Sequence, residues 1–296
     1  MLTFFGICAV VTVLTTLGII AVLGVEALKF FTESRIGLGE FLFGREQNWD
    51  ASPPKFGILP LVWGTFVIAI GSAAIALPIG LLSAIYLSEY ASRRTRSILK
   101  PTLELLAGIP SIVYGYLALL LVTPVLQAAL NPLLESVGAE WRVEFFNAVS
   151  ACIAVGIMII PMVSSLSEDV LSAVPKSLRE AAYGLGATKF EVSTRVVLPA
   201  ALSGVISSFM LAISRAVGET MAVVLAAGSA PNLSWNPFIS VETMTAYIVA
   251  VTTGEAAEGS PERLSLFAVG LALFAITLSF NLVSLLVLRR YREAYH

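Results

Sequence analysis

The stretch Ser172–Pro199, SAVPKSLREAAYGLGATKFEVSTRVVLP, stands between two long apolar runs and carries more structural instruction than a tether needs. Ser177, Leu178, Arg179 and Glu180 fit a capping box, the serine accepting from first-turn amides while the glutamate reaches back to the cap, so a helix is expected after Ser177. Gly184 and Gly186 then supply a C-terminal stop, where a left-handed residue is easiest for glycine. Thr188, Lys189, Phe190 and Glu191 form a second box, starting another short helix that runs to Leu198 and Pro199. The expectation is a compact helix-turn-helix with Ala181, Ala182, Tyr183, Leu185 and Phe190 available to a partner. Two readings stand: an ordered loop packed on its own helix ends, or a docking surface.

The rest of the chain says what this stretch projects from. Of 296 residues, 57% are hydrophobic and only 13% charged, with mean hydropathy +0.88; soluble domains carry about 25% charge. Several apolar runs exceed the roughly 20 residues that cross the hydrocarbon core as helix, and no alternating pattern points to an outer-membrane barrel. The fold class is therefore an all-α membrane bundle. Six spans are expected, about 3–28, 59–87, 103–126, 148–171, 200–227 and 264–288, in one transmembrane domain over 1–296, with 172–199 as the longest connection. The first apolar run is too long for a signal-peptide core and lacks a basic lead, so it reads as an anchor. Cys8 and Cys152 fall in apolar runs and read as small buried hydrophobes. His296 is the only histidine, which excludes a histidine metal site or a histidine-dependent catalyst.

Counting Lys and Arg sets the expected orientation. One side holds Arg93, Arg94, Arg96, Lys100, Lys176, Arg179, Lys189, Arg195, Arg289, Arg290 and Arg292; the other holds Lys29, Arg35, Arg45, Lys55, Arg142 and Arg263. Both termini and the 172–199 connection are thus expected in the cytoplasm. The first outside loop, 30–58, with Trp49, Pro53 and Pro54, is expected along the outer interface.

The spacing in the connection carries a resemblance. Glu180-Ala181-Ala182, three residues, Gly186, nine residues, then Val196-x-Leu198-Pro199 resembles the EAA loop of ABC-importer permeases, EAA-x3-G-x9-I-x-LP, with valine for isoleucine. The resemblance implies that Glu180, Ala181, Ala182, Gly186, Leu198 and Pro199 belong to a coupling helix that seats in a separate ATPase. The chain has no G-x-x-x-x-G-K-[ST] motif, so ATP and magnesium would be bound by that partner. Further stretches, Phe56–Thr65 (FGILPLVWGT), Ile85–Ala91 (IYLSEYA), Ala107–Gly115 (AGIPSIVYG) and Ser214–Met221 (SRAVGETM), together resemble the phosphate-specific transport permeases of the PstC type. That implies a six-helix permease of the type I, MetI-like, ABC-importer architecture in a bacterial or archaeal cytoplasmic membrane. The expected partners are a second related permease, an ATPase dimer and an extracytoplasmic phosphate-binding protein, with membrane lipid and no nucleic acid.

Within the fifth run, LAISRAVGETMAVVLAAG (Leu211–Gly228), two charges interrupt apolar sequence. Arg215 is placed roughly 24 Å beyond Pro199 along a continuous helix. A central arginine costs about 2.5–3.5 kcal/mol, so it should face the bundle interior or water. Glu219, four residues on, is expected on the same face as a pair, with Ser208 and Ser214 on or beside it. The pair reads either as a packing clasp or as a translocation element, since a guanidinium suits a tetrahedral oxyanion. Glu104, Glu168 and Asp169 read as interfacial carboxylates, and Arg93 to Lys100 as an anchor on lipid phosphates. Asn281 is expected to bond across helices. The chain therefore reads as a non-catalytic permease subunit for phosphate. The alternatives are another oxyanion, such as sulfate or molybdate, or a membrane scaffold or sensor with no pathway.

Overall fold

The computed structural model describes residues 1–48, 54–254, 256–257 and 259–291, with no side-chain placement for Leu2 and 287–291. Trp49, Pro53, Arg292 and His296 lie outside the described residues. The chain opens with α1 (Leu2–Glu33) and α2 (Leu38–Phe43), then a short antiparallel hairpin of β1 (Gln47–Asn48) and β2 (Lys55–Phe56). Next come α3 (Leu59–Ile85), which continues into a π-helical turn Tyr86–Tyr90, and α4 (Arg93–Ala107). The helices α5 (Ser111–Leu117) and α6 (Thr123–Ser136) are joined by a π-helical stretch, Ala118–Val122. Then follow α7 (Ala148–Ala173), α8 (Lys176–Gly184), α9 (Lys189–Glu191), a π-helical Val192–Val197, α10 (Leu198–Ala200), α11 (Leu202–Val217), α12 (Met221–Ala227), α13 (Met244–Thr253) and α14 (Pro261–Tyr291).

Five helices among the described residues are long and apolar enough to cross a membrane, and a bent pair meeting at 72° makes a sixth. The third span differs from the expected 103–126. Its first five residues belong to α4, an amphipathic helix with no buried residue, and the span is Ser111–Ser136. Leu103, Leu105 and Leu106 extend the hydropathy, but Gly108-Ile109-Pro110 breaks the helix. Proline lacks an N–H and drives the preceding residue out of the α region, so Pro110 caps a new helix. The fifth span also differs from the expected 200–227. Lys189–Ala200 bends into α11, and a non-helical Gly218–Thr220 separates α11 from α12. Gly218 is a poor helix residue, and the β-branched Thr220 follows it.

Packing groups the chain into two compact units interleaved along the sequence: 1–64 with 229–233 and 241–276, and 65–228 with 234–240 and 277–296. The first unit is built on Ala27, Phe30, Phe41, Phe56, Leu61, Met244 and Tyr247. The Phe30 ring meets Phe56 edge-on at 5.5 Å between centroids, the offset arrangement aromatic quadrupoles favour. In the second unit α7 is central. Its small residues Ala148, Ala151, Ala154 and Gly156 are buried, which lets neighbouring helices approach closely where lipid offers no hydrophobic drive to associate. Cys152 is buried there, whereas Cys8 is exposed on α1, against the expectation that both are buried; both are free thiols.

Candidate functional site

The 172–199 connection is ordered by local rules. Its first helix starts at Lys176 with Pro175 as cap and no side-chain cap bond, so the box expected at Ser177 does not form. Pro175 breaks the chain ahead of it and leaves Ser177 inside the first turn. The second box is present: Thr188 Oγ1 accepts from Glu191 N at 3.3 Å, and Thr188 N donates to Glu191 Oε2 at 2.9 Å. Between them α8 ends in a Schellman turn. Gly186 N donates to the Tyr183 carbonyl at 2.9 Å and Ala187 N to the Ala182 carbonyl at 3.1 Å, with Gly186 at φ +84°. That is the left-handed position at which a side chain is strained.

The loop satisfies both readings at once, on different faces. Ala182 and Leu178 turn inward with Ala187 and Leu198 onto Ala84, Leu171, Val174 and Val197, so Ala182 is only half available to a partner. Glu180, Ala181, Gly186 and Pro199 are exposed, and beside them Leu185 is 90% and Phe190 68% exposed. These apolar side chains at the end of a membrane bundle form a surface suited to a protein partner.

Ion pairs that the sequence did not announce hold this loop to the spans. Arg179, one residue before Glu180, donates from Nη2 to Glu89 Oε1 at 2.8 Å and from Nε to both carboxylate oxygens at 3.3 Å. It also donates to the carbonyls of Leu171 and Val174 at the end of α7. The Arg179 side chain is 16% and that of Glu89 5% exposed. One guanidinium therefore ties α8 to the ends of two spans.

A second network corrects the reading of Glu168 as an interfacial carboxylate and of Arg96 and Lys100, within Arg93 to Lys100, as part of a lipid anchor, whereas Asp169 is exposed. The Glu168 side chain is fully buried, and Arg96 and Lys100 of α4 both pair with it, Lys100 Nζ at 2.8 Å from Oε2. Ser172 Oγ adds a bond to Oε1 at 2.8 Å, and Asp169 pairs with Lys100. For Lys100, burial is the largest single effect and lowers its pKa, but the bonds to Asp169 and Glu168 and their charges together raise it above the usual lysine value. Glu104 is exposed, as an interfacial carboxylate should be.

The third feature is the interrupted fifth span. Since the axis of α11 begins at Leu202, Arg215 lies about 20 Å along it at 1.5 Å per residue, in its last turn and exposed on the isolated chain. Glu219 is not one turn further along the same helix, because α11 stops at Val217. Its carboxylate faces the next segment, where Oε1 accepts from Ala222 N at 3.4 Å in the first turn of α12. At Gly115 an added Cβ would stand 2.8 Å from Ala222 Cα. The helices α5 and α12 are thus packed together. Ser208 is buried, its Oγ 2.7 Å from Ser167 Oγ, which makes it a tie between α7 and α11. Ser214 Oγ donates to Asn281 Oδ1 of α14 at 3.3 Å, the bond across helices expected of Asn281. Ser207, Ser208, Leu211, Asn281 and Ser284 help line a cavity of about 380 Å³.

A bundle of spanning helices, an exposed partner face on an ordered inter-helix loop, and a charged break in one span together define a multi-pass membrane transport subunit. The model of the binding-protein-dependent transport system inner membrane component family matches residues 76–293, and the chain belongs to that family. It is 34% identical over 276 residues to YqgH of Bacillus subtilis, a probable ABC transporter permease protein, covering 93% of this chain and 86% of that one. It is 36% identical over 270 residues to the phosphate transport system permease protein PstC of Mesorhizobium japonicum, covering 88% and 82%. It is also 33% identical over 210 residues to the phosphate transport system permease protein PstA 1 of Mycobacterium tuberculosis, covering 69% and 64%. In fold it is similar to a bacterial alginate ABC transporter solved with a pentasaccharide-bound periplasmic protein, at TM-score 0.63 and 16% identity, covering 95% and 92% of the chains. The inward-facing MetNI methionine transporter matches at TM-score 0.55 and 17% identity, covering 80% and 95%.

Proposed function

We propose that this chain is one permease subunit of an ABC importer for inorganic phosphate, supplying half of the pathway across the cytoplasmic membrane. The observation that carries the reading is Arg215: a guanidinium exposed on a spanning helix, well inside the bundle's length, cannot face lipid without a cost of about 2.5–3.5 kcal/mol or more. Water or a second permease must cover it, and a water-filled path between two permeases does both. A planar guanidinium binds a tetrahedral oxyanion through two parallel hydrogen bonds, and the phosphate transport relatives favour phosphate among the oxyanions. Selectivity against sulfate or molybdate then falls partly to an extracytoplasmic binding protein.

Both termini and the 172–199 loop face the cytoplasm in this reading, which the Lys and Arg count supports. The exposed face of α8 and α9, with Leu185 and Phe190, seats on one subunit of an ATPase dimer that binds ATP and magnesium. Arg179 passes its movement to the ends of α3 and α7. The second permease is a related, non-identical chain, in line with the likeness to both PstC and PstA proteins.

The test is uptake of labelled phosphate by proteoliposomes holding the whole complex. Arg215→Gln is expected to abolish uptake with the complex still assembled, and Glu219→Gln to have the smaller effect. Wild-type uptake by Arg215→Gln would overturn the pathway role. Competition by excess sulfate would reassign the substrate, and no uptake of any oxyanion by the wild-type complex would favour a scaffold.

A further inference from the structure

In the first compact unit, away from Arg215 and the coupling loop in the chain, a cavity of about 400 Å³ is lined by Gln47, Asn48, Ser229, Pro231, Glu242, Tyr247 and Ala250. Glu242 is 5% exposed, and among the described residues burial alone acts on its carboxylate, with no hydrogen bond or ion pair to offset it. A buried carboxylate is ordinarily paired, because a bare charge out of water is among the most expensive things a fold can hold. The other polar side chains lining the cavity are neutral. Tyr247 OH shares a hydrogen with Ser265 Oγ at 2.6 Å, and the Gln47 amide lines the same space. Among the described residues, no lysine or arginine lines the space. The lysine nearest in the hairpin, Lys55, is paired with Glu46.

The geometry points to a binding site for a monovalent cation of sodium or potassium size, held by the Glu242 carboxylate and by neutral oxygens of Tyr247, Ser229, Gln47 and Asn48. The donor set is all oxygen, which suits hard cations and excludes soft metals that need sulfur or imidazole. One carboxylate neutralises one charge, so a divalent ion would keep an uncompensated positive charge in a buried place. An anion would meet a carboxylate with no cationic side chain to offset it. At about 30 Å³ per water, the cavity holds an ion together with part of its hydration shell. A bound cation would join three segments of this unit that the sequence separates: the hairpin at Gln47–Asn48, the turn at Ser229–Pro231 and the start of α13.

Thermal unfolding of the purified full complex tests this at a pH above about 8, where the Glu242 carboxyl is ionised, in NaCl, KCl or choline chloride at constant ionic strength, and again with MgCl2, CaCl2 or phosphate added to choline buffer. Sodium or potassium is expected to raise the unfolding midpoint saturably in the wild type and to lose that effect in Glu242→Gln. Tyr247→Phe keeps the charge and removes one oxygen, so it should raise the half-saturating concentration several-fold. This second variant carries the test where Glu242→Gln does not assemble. Equal responses in choline, sodium and potassium would overturn the site, as would a monovalent response that survives in both variants. A Glu242-dependent response to magnesium, calcium or phosphate alone would overturn the monovalent assignment.

Discussion

Arg179 offers the most demanding test of how the loop is joined to the spans. Replacing it by alanine removes the bonds to Glu89 from Nε and Nη2 and the two to the carbonyls of Leu171 and Val174. The Glu89 carboxylate, 5% exposed, then stays buried without its partner. Removing one member of a buried pair costs about 3–5 kcal/mol, a large share of the 5–15 kcal/mol by which domains are ordinarily stable. Arg179→Ala should therefore lower the thermal midpoint of the complex sharply, and Glu89→Gln less, because the amide keeps its volume and one acceptor. If the two side chains act as a unit, the double variant Arg179→Met with Glu89→Leu should cost clearly less than the sum of its single changes. The expected coupling lies within about 0.5–3 kcal/mol. Assembled complexes of the single variants should hydrolyse ATP yet import less phosphate per ATP than wild type, since α8 can move without carrying α3 and α7. Additive single effects together with an unchanged ratio of uptake to hydrolysis would refute the linkage.

Three further outcomes are expected. Gly115→Ala puts a methyl 2.8 Å from Ala222 Cα and 2.9 Å from its carbonyl oxygen, an overpacking of about 1–3 kcal/mol; phosphate uptake should fall while membrane levels hold, and unchanged uptake would show that α5 and α12 yield freely. Gly186→Ala strains a position at φ +84° by about 1–2 kcal/mol with no neighbour within 4 Å of the new methyl. It should weaken co-purification of the ATPase, and Gly186→Asn should weaken it less. Burial raises the Glu242 carboxyl from the ordinary 4.5 to about 8, so the folded chain holds this proton more tightly than the unfolded one. Its contribution is complete below about pH 4.5 and is lost as pH rises through about 8, at no more than ~1.4 kcal/mol per pH unit. In choline buffers the unfolding midpoint should fall across that window, and the same slope in Glu242→Gln would assign the effect elsewhere.

The parts of this protein that were legible in the sequence are those set by neighbours along the chain. Hydropathy found the spanning segments because twenty apolar residues in a row have few other uses. The Thr188 capping box and the Gly186 stop were readable because each is made within a few residues. The Ser177 box failed for the same local reason, since Pro175 had already started the helix. What hydropathy missed were breaks, at Gly108–Pro110 and at Gly218–Thr220, because averaging over a window erases a three-residue interruption between two apolar helices. Least legible were the partners of Glu168 and Glu89. Arg96 and Lys100 stand four residues apart on one face of α4, a readable spacing, yet nothing local says that the face meets α7. Arg179 hid in plain view beside Glu180, counted as one more positive charge near a membrane.

The break at Gly218–Thr220 changes what the charged pair of the fifth span is able to do. On an uninterrupted helix, Arg215 and Glu219 would sit one turn apart in every state of the protein, and the glutamate would always offset much of the positive charge that an arriving anion needs. With α11 ending at Val217, Arg215 stays on α11 while Glu219 stands in the non-helical break with its carboxylate turned to Ala222 N of α12. Their separation is then a variable of the fold, set by how α11 and α12 are angled, and no longer a constant of helix geometry. Those segments share α7 as a neighbour, and α12 packs on α5 as well. The Ser167–Ser208 hydrogen bond ties α11 to α7, while the close approach of Gly115 and Ala222 holds α12 to α5. In the proposed pathway, a site that binds an oxyanion on one side of the membrane and releases it on the other needs an affinity that changes with conformation, and a pair split across a helix break would supply that where a fixed clasp does not.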